Sequence, residues 1–575
     1  MSESYGIAAI SIVVALTAII GAFGLRISRT TSDFYVASRT VSPMWNASAI
    51  GGEYLSAASF LGVAGLILAY GADLLWLPVG FTGGYLIMLV LVAAPLRRSG
   101  AYTLPDFTEL RLNSVRLRAL ASVLVVLICW LYLMPQFQGA GLTLRTVTGA
   151  PLWVGEAVVA VVVITTVAAG GMRSITFVQA FQYWLKVTAI LVPAVFLALS
   201  WHSHGSPPLS RDAAPRFLQA TAVTAPATLR ITVSQPVVPR VTGTVDGHRY
   251  VGAAVPLAAG THVVAKTTRL DFPAGAPVPI QQDLPSATDA KWSQPLSGGR
   301  DHSLYTTYSL IIATMLGTMG LPHILVRFYT NPDGGAARHT TLNVLKLLGL
   351  FYLGPSLFGA LGRIYTPDLL MTGRVDSVVL ELPSRMVGGV GGDLLSALVT
   401  AGAFAAFLST AAGLTMSAAA VLSQDVFRSG RVHTFQLATL PAALVPFGFA
   451  LVAGAIPVGD AVSLAFAVAA STFCPLLVLG VWWRRLSTVG AAAGMVVGGV
   501  SAGAAVLATI LGGPYHGWPG ALLAQPAAIT VPAAFAVMIG VSLLTPSHIP
   551  LNIHRIMVRL HVPESVELDR ADFRR

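Results

Sequence analysis

Runs of about 20 apolar residues recur along nearly the whole chain, separated by short polar or basic segments. An α-helix of this length crosses the hydrocarbon core of a bilayer. Of the 575 residues, 55% are hydrophobic and 10% are charged, whereas a soluble domain has about 25% charged residues. The chain is therefore predicted to be an all-α polytopic membrane protein with about 13 transmembrane helices. The predicted spans lie near residues 5–25, 44–70, 75–96, 119–146, 152–172, 175–200, 304–326, 340–362, 386–423, 434–456, 459–483, 489–512 and 527–545.

Arginines are concentrated in alternate loops between these spans. The arginine-rich set carries Arg26, Arg29, Arg39, Arg97, Arg98, Arg111, Arg116, Arg118, Arg173, Arg327, Arg338, Arg428, Arg431, Arg484 and Arg485, with Arg555, Arg559, Arg570, Arg574 and Arg575 in the tail. The opposite short loops hold Arg145, Arg363, Arg374 and Arg385. Because basic loops face the cytoplasm, we expect a cell-membrane protein (inner or plasma membrane) with its amino terminus outside and its carboxyl terminus inside.

The same bias accounts for the net charge of +11, which reflects loops that face an anionic leaflet and not a nucleic-acid partner. Met1–Tyr5 contains Glu3 and no basic residue, the reverse of a secretory signal, so the first span is expected to stay in the protein. Cys129 and Cys474 fall inside spans, which argues against disulfides and CxxC metal sites. No cofactor is expected.

One polar, proline-rich segment, residues 201–303, interrupts the pattern on the predicted outer side. It contains short β-like runs, and a small β-rich module and a partly ordered loop are both compatible with it. The predicted organisation is an extra first span with its loop, a first repeat, this insertion, a second repeat, two further spans and a cytoplasmic tail, at 1–43, 44–200, 201–303, 304–483, 484–546 and 547–575.

Two predicted spans look broken near their middles. The second contains Gly51, Gly52 and Glu53 followed by serines, and the seventh contains Gly317, Gly320 and Pro322. Such residues release backbone groups from helical hydrogen bonding, although small residues in membrane helices also serve simple packing. Five spans separate the two starts, as expected if spans two to six and seven to eleven form inverted halves. This arrangement is typical of carriers, whose substrate and ion sites lie at helix breaks.

Polar residues inside the spans are candidates for such sites. Glu53 and Lys186 are ionisable, and each must line a cavity or find a partner, which can equally be a structural ion pair. Ser409 and Thr410 are adjacent hydroxyls in an otherwise apolar run. They either bond back to their own helix or contribute oxygen ligands to a bare cation.

Other functional classes fit less well. A sensor would need a signalling domain, and the roughly 30-residue tail after Thr545 is too short for a kinase. An enzyme would need a catalytic constellation, and no hydroxyl–histidine–acid set occurs at a suggestive spacing. A channel is harder to exclude from the sequence, and saturable, gradient-dependent accumulation of the solute would rule it out. We therefore expect a carrier and not an enzyme.

The residues also resemble a known family. A signature of the sodium:solute symporter family is similar to Gly480-Val481, Arg485, Gly490-Ala491 and Gly494-Met495-Val496-Val497-Gly498. Within that family the cation/acetate symporters, or monocarboxylate permeases, resemble the chain in the stretches 52–62, Gln136 with 139–141, and 317–328. The Pro322–Phe328 portion is also similar to proline symporters. The insertion departs from the family pattern, and so does Glu53, where the family leads us to expect Asp.

The resemblance implies a LeuT-like core of five plus five inverted helices that couples Na⁺ entry to uptake of a small monocarboxylate such as acetate, propionate or pyruvate. It implies a sodium site made by Gly52, Leu55, Ala406, Ser409 and Thr410. The candidate substrate lining is Tyr54, Ser56, Ser59, Gln136 and Thr318. Protons are the alternative coupling ion, with Glu53 as their possible carrier, and another organic solute such as proline is the alternative substrate. The expected partners are thus a small organic anion and the lipid bilayer.

Overall fold

A computed structural model describes residues 3–25, 41–209, 213–285, 288–296, 302–429, 431–452, 458–512, 517–563 and 566. Arg26, Arg29, Arg39, Arg570, Arg574 and Arg575, which contribute to the predicted charge bias, lie outside the described residues.

Helices make up both sides of the insertion. Before it lie α1 (Glu3–Leu25), α2 (Pro43–Tyr54), a π-helical turn (Ala58–Gly62), α3 (Val63–Tyr70), a 3₁₀ turn (Gly71–Leu75), α4 (Trp76–Leu91), α5 (Ala93–Ser99), α6 (Leu104–Leu112), α7 (Val115–Thr148) and α8 (Leu152–Ser203). The insertion contains β1 (Thr221–Thr224), β2 (Leu229–Val233), β3 (Arg240–Val245), β4 (His248–Ala254), β5 (Gly260–Val264), β6 (Arg269–Phe272), β7 (Ile280–Gln281) and α9 (Asp289–Trp292).

After the insertion lie α10 (Ser303–Gly320), α11 (Pro322–Phe328), α12 (Gly334–Tyr365), α13 (Asp368–Thr372), a 3₁₀ turn (Val375–Ser377), α14 (Val378–Met386), α15 (Gly389–Val421), a π-helical turn (Leu422–Val426), α16 (Val432–Val452), α17 (Val458–Trp482), α18 (Thr488–Gly512), α19 (Gly517–Ala524), α20 (Ala527–Leu544), a 3₁₀ turn (Pro546–His548) and α21 (Ile553–His561).

Ten helical segments in the described part of the chain are long and apolar enough to cross a membrane, and the bent pair α10–α11 makes eleven. The predicted number was about 13. Two of the ten each cover two predicted spans, namely Ala58–Leu91 and Leu152–Ser203. Within α8 the chain turns at Gly171, whose φ of 57° lies in the left-handed region that favours glycine. Counting each of these two segments as two spans raises eleven to the predicted 13, so the difference comes only from where long helices are divided.

The insertion forms an antiparallel sheet of seven strands in the order β1-β6-β3-β5-β2-β7, with β4 paired to β3. Alternate residues of β2 (Leu229, Ile231 and Val233) are buried in a core of its own. This alternation is what a strand with one covered face requires. Of the two readings that the sequence left open, the β-rich module is the one observed. The all-α prediction is thus wrong for the insertion and holds for the membrane part.

Small residues position the centre of the membrane part. The helix α15 is buried almost continuously from Ser396 to Val421, and its alanines, glycines and serines allow close approach to α8, α7 and α2. The broken segment between α2 and α3 therefore lies against α15 and α8, deep in the main hydrophobic core.

The insertion is fastened to the membrane part by Trp292 of α9. Its indole Nε1 donates to the carbonyl oxygens of Ile67 and Leu68, at 2.9 and 3.0 Å. These carbonyls belong to the last turn of α3, and that of Ile67 also accepts the Gly71 amide at the helix end. The Arg363 guanidinium lies 5.5 Å from the centre of the Trp292 ring and is paired with Asp289 at 3.0 Å. The end of α3 is thereby held by the module.

Replacing Trp292 with phenylalanine should destabilise the protein by about 1 kcal/mol, because it removes the donor to α3 and keeps an aromatic ring. A lowered melting temperature in detergent is the expected measurement. Trp153, which is 57% exposed on α8, provides the matched control. Equal effects of Trp292→Phe and Trp153→Phe would contradict the fastening role of the indole N–H.

Candidate functional site

Both predicted helix breaks are present. After α2 ends at Tyr54, Leu55 leaves the helical conformation with φ −72° and ψ 84°, and the chain becomes helical again near Ala58. Between α10 and α11, Leu321 is extended with φ −75° and ψ 115°, and the two helices are bent by 46°. Pro322 begins α11, where its missing N–H costs nothing. Each break therefore releases backbone groups from helical hydrogen bonding in a buried region.

The hydroxyls of α15 face the first break. Ser409 Oγ donates to the Gly52 carbonyl at 2.7 Å and lies 3.1 Å from the Ala406 carbonyl oxygen. Thr410 Oγ1 donates to the Glu53 carbonyl at 2.6 Å. Both hydroxyls are fully buried. Both hydroxyls thus bond across to α2, and Ser409 also bonds back to the Ala406 carbonyl of its own helix. The predicted cation-site residues are brought together at this point.

A lysine ammonium lies among the same oxygens. Lys186 of α8 is fully buried. Its Nζ donates to the carbonyls of Gly52 and Leu55, the latter at 2.8 Å. It also contacts Ser409 Oγ at 2.5 Å. The sequence marked Lys186 as an ionisable residue within a span, but it did not connect this residue to the cation site.

Glu53 forms a buried ion pair with Arg327, in which Arg327 Nε lies 2.7 Å from the carboxylate. The guanidinium also donates to Thr176 Oγ1 at 2.7 Å and to the side-chain oxygen of Gln179. Gln179 in turn donates to the Ser409 carbonyl at 2.8 Å. Arg327 was assigned above to a cytoplasmic loop, and that assignment is wrong because its side chain is fully buried. The proton-carrying role of Glu53 stays a prediction.

Glycines allow this close packing at two places. A Cβ on Gly413 of α15 would lie 1.8 Å from the Glu53 carboxylate, and one on Gly52 would lie 2.1 Å from the Gln179 carbonyl oxygen. Both positions therefore need glycine so that α15 and α8 can reach the break.

The predicted substrate residues are buried around the two breaks. Tyr54 connects them, because its hydroxyl lies 2.7 Å from Thr318 Oγ1 of α10. Gln136 of α7 accepts a hydrogen bond from the Ala57 amide at 2.9 Å. Ser59 lies 2.9 Å from the Tyr352 hydroxyl, and Ser56 is buried within the break itself. All five residues thus belong to one region, although several are already engaged in hydrogen bonds.

Sequence reasoning missed His323 and Tyr132. His323, in the first turn of α11, is fully buried, and neither imidazole nitrogen has a hydrogen-bond partner among the described residues. The Tyr132 ring packs edge-on against it with 5.3 Å between centroids. A buried unpaired polar group calls for an explanation, and a ligand is one. In the sequence, the signal that could have identified His323 is its position directly after Pro322 at a predicted helix break.

The charges at the breaks do not balance. Besides His323 and the tyrosines, the fully buried ionisable side chains that meet there in the described structure are Glu53, Arg327 and Lys186. Counted as ionised, Glu53 compensates Arg327, and the Lys186 ammonium has hydrogen-bond partners that are neutral oxygens. An excess positive charge in a low-dielectric region favours a bound anion.

Comparison with known proteins agrees with this arrangement. The family model of the sodium:solute symporter family matches residues 34–207 and 289–498. An uncharacterised symporter of Cupriavidus necator is 30% identical, and the match covers 93% of this chain and 91% of its own. A monocarboxylic acid transporter of Corynebacterium glutamicum is 29% identical, covering 89% and 86%.

Solved structures share the fold at low identity. A Na⁺-coupled sialic acid symporter in a substrate-bound outward-open state has a TM-score of 0.58 and 13% identity, covering 93% of this chain and 98% of its own. Mhp1, a nucleobase-cation-symport-1 family transporter in a closed conformation, has a TM-score of 0.51 and 13% identity, covering 92% and 98%. The fold is thus that of LeuT-like transporters, as predicted. The chain belongs to the sodium:solute symporter family.

Proposed function

We propose that the protein is a secondary active carrier that takes up a small monocarboxylate, such as acetate, propionate or pyruvate, together with a cation. The observation that carries this proposal is the unpaired imidazole of His323 at the second helix break, together with a buried cluster that contains two basic side chains, Lys186 and Arg327, and one carboxylate, Glu53. A carboxylate bound there would compensate the second basic side chain in its charged form and accept a hydrogen bond from the His323 imidazole. The monocarboxylic acid transporter of Corynebacterium glutamicum supports the same substrate class.

The aromatic surroundings favour a small solute. The Tyr54 ring packs edge-on against Tyr85 and Phe81, with centroids 4.9 and 5.9 Å apart, and Phe466 completes the group at 6.2 Å. These rings are buried, and they would provide the apolar contact for the methyl or ethyl group of the proposed solute. A small anion offers little surface for recognition, so exclusion by size contributes much of the selectivity.

Accumulation requires a coupled cation gradient. Symport of one cation with one carboxylate moves no net charge, so the concentration gradient of the cation drives it. Each cation beyond the first that moves across 100 mV adds about 2.3 kcal/mol, which corresponds to nearly fifty-fold accumulation. The sequence favours sodium as this ion and gives the proton as the alternative. An inward-directed gradient of the coupled cation makes this transport an uptake.

Uptake of labelled acetate into proteoliposomes tests the proposal. We expect accumulation that saturates, that collapses with the driving gradient, and that pyruvate and propionate reduce by competition. Sodium and pH gradients are imposed separately, and liposomes without protein serve as the control. Competition by proline with none from the short acids would instead establish the alternative substrate. Linear, gradient-independent entry would identify a channel.

A further inference from the structure

We infer that the Lys186 ammonium is a built-in cation that takes the place of sodium, so that this carrier works without sodium ions. The inference rests on the proposed carrier function and leaves the proton, the alternative given above, as its coupling ion. It starts from the set of oxygens that the family resemblance assigns to sodium.

Three of those oxygens already serve the ammonium. Lys186 Nζ donates to the Gly52 and Leu55 carbonyls and lies 2.5 Å from Ser409 Oγ. An ammonium has three N–H donors, so these contacts use its full capacity. A sodium ion bound to the same oxygens would have to occupy the position of Nζ itself. The lysine and the ion therefore exclude each other.

The electrostatic balance points the same way. Glu53, the buried carboxylate closest in sequence to the site, is paired with Arg327 at 2.7 Å. With Lys186 in its charged form the site already has an excess positive charge, and a sodium ion added next to it would double that charge in a region of low dielectric. Charges inside the membrane are costly, and a second uncompensated one is more so.

The position of Lys186 is also well fixed. Its side chain is fully buried on α8, and the glycine at position 52 lets the α2 backbone approach α8 closely. The Ser409 carbonyl, next to the contacted hydroxyl, is held by Gln179 from the same helix α8. The ammonium therefore connects three helices through neutral oxygens, as a bound ion would.

Thermal unfolding of the purified protein without substrate provides the test. Melting temperatures are compared in sodium chloride and choline chloride at equal ionic strength. For the wild type we expect the same melting temperature in both salts. Lys186→Ala opens the site, so sodium should stabilise this variant specifically, since a ligand that binds the folded state raises its stability. Lys186→Ala combined with Ser409→Ala should lose this sodium effect, and Lys346→Ala, at an exposed position of α12, should behave as wild type.

Specific stabilisation of the wild type by sodium would overturn the inference, since the ion would then bind despite the lysine. A folded Lys186→Ala variant without a sodium response would overturn it as well. Should this variant not fold, the wild-type comparison still decides.

Acetate uptake by the wild type should in addition be equal in sodium and choline to within about twofold, because an ion that does not bind cannot shift the transport equilibrium. The melting experiments contain no substrate, so a failure of acetate uptake alone would count against the proposed substrate and not against the role of Lys186.

Discussion

Arg327→Met should yield little folded protein, whereas the double variant Glu53→Gln/Arg327→Met should recover much of it. The single change leaves the Glu53 carboxylate buried without the guanidinium that lies 2.7 Å away. Removing one partner of a buried ion pair costs about 3–5 kcal/mol, while replacing both by neutral residues of similar volume is often tolerated.

Fluorescence-detected size-exclusion chromatography and melting curves in detergent measure this effect. Arg338→Met is the matched control, because Arg338 is exposed at the start of α12 and should tolerate the change. If the double variant were no more stable than Arg327→Met, the hydrogen bonds of Arg327 to Thr176 and Gln179 would matter more than its charge balance with Glu53.

Gly52→Ala should have the second large effect. Its Cβ would lie 2.1 Å from the Gln179 carbonyl oxygen, and a backbone group cannot rotate away as a side chain can. Such overpacking costs about 1–3 kcal/mol and sometimes more. Separation of α2 from α8 would also withdraw the Gly52 carbonyl from Lys186 and Ser409. We therefore expect both a lower melting temperature and loss of uptake.

Gly349→Ala on α12 is the control for this substitution, because no atom lies within 4 Å of the added Cβ. It should be neutral or stabilising, since alanine is favoured over glycine in a helix by about 1 kcal/mol. Wild-type uptake by Gly52→Ala would mean that the close contact between α2 and α8 is dispensable.

Local chemistry explains what the sequence could predict. Membrane helices need long apolar runs, and helix breaks need residues such as Gly317, Gly320 and Pro322, so both features are visible within a short window. The pairing of Ser409 with Gly52 was reached only through the family resemblance, because 357 residues separate them.

Long-range partners account for what was missed. Lys186 meets Gly52 across 134 residues and Glu53 meets Arg327 across 274, and no periodicity within one segment reveals such contacts. Arg327 was assigned to a loop because an arginine after an apolar run is typical of a cytoplasmic boundary. The short helix α11 instead carries it inward to Glu53. His323 was passed over because its unpaired nitrogens can be recognised only in three dimensions.

Equilibrium binding of labelled acetate to the purified protein tests the central claim, that an uncompensated positive charge at the helix breaks selects a small carboxylate. Acetamide has nearly the size and shape of acetate but no charge. We expect unlabelled acetate, propionate and pyruvate to displace the label and acetamide to fail at the same concentrations, since only an anion balances the buried ammonium. Displacement by acetamide as effective as that by acetate would contradict the account.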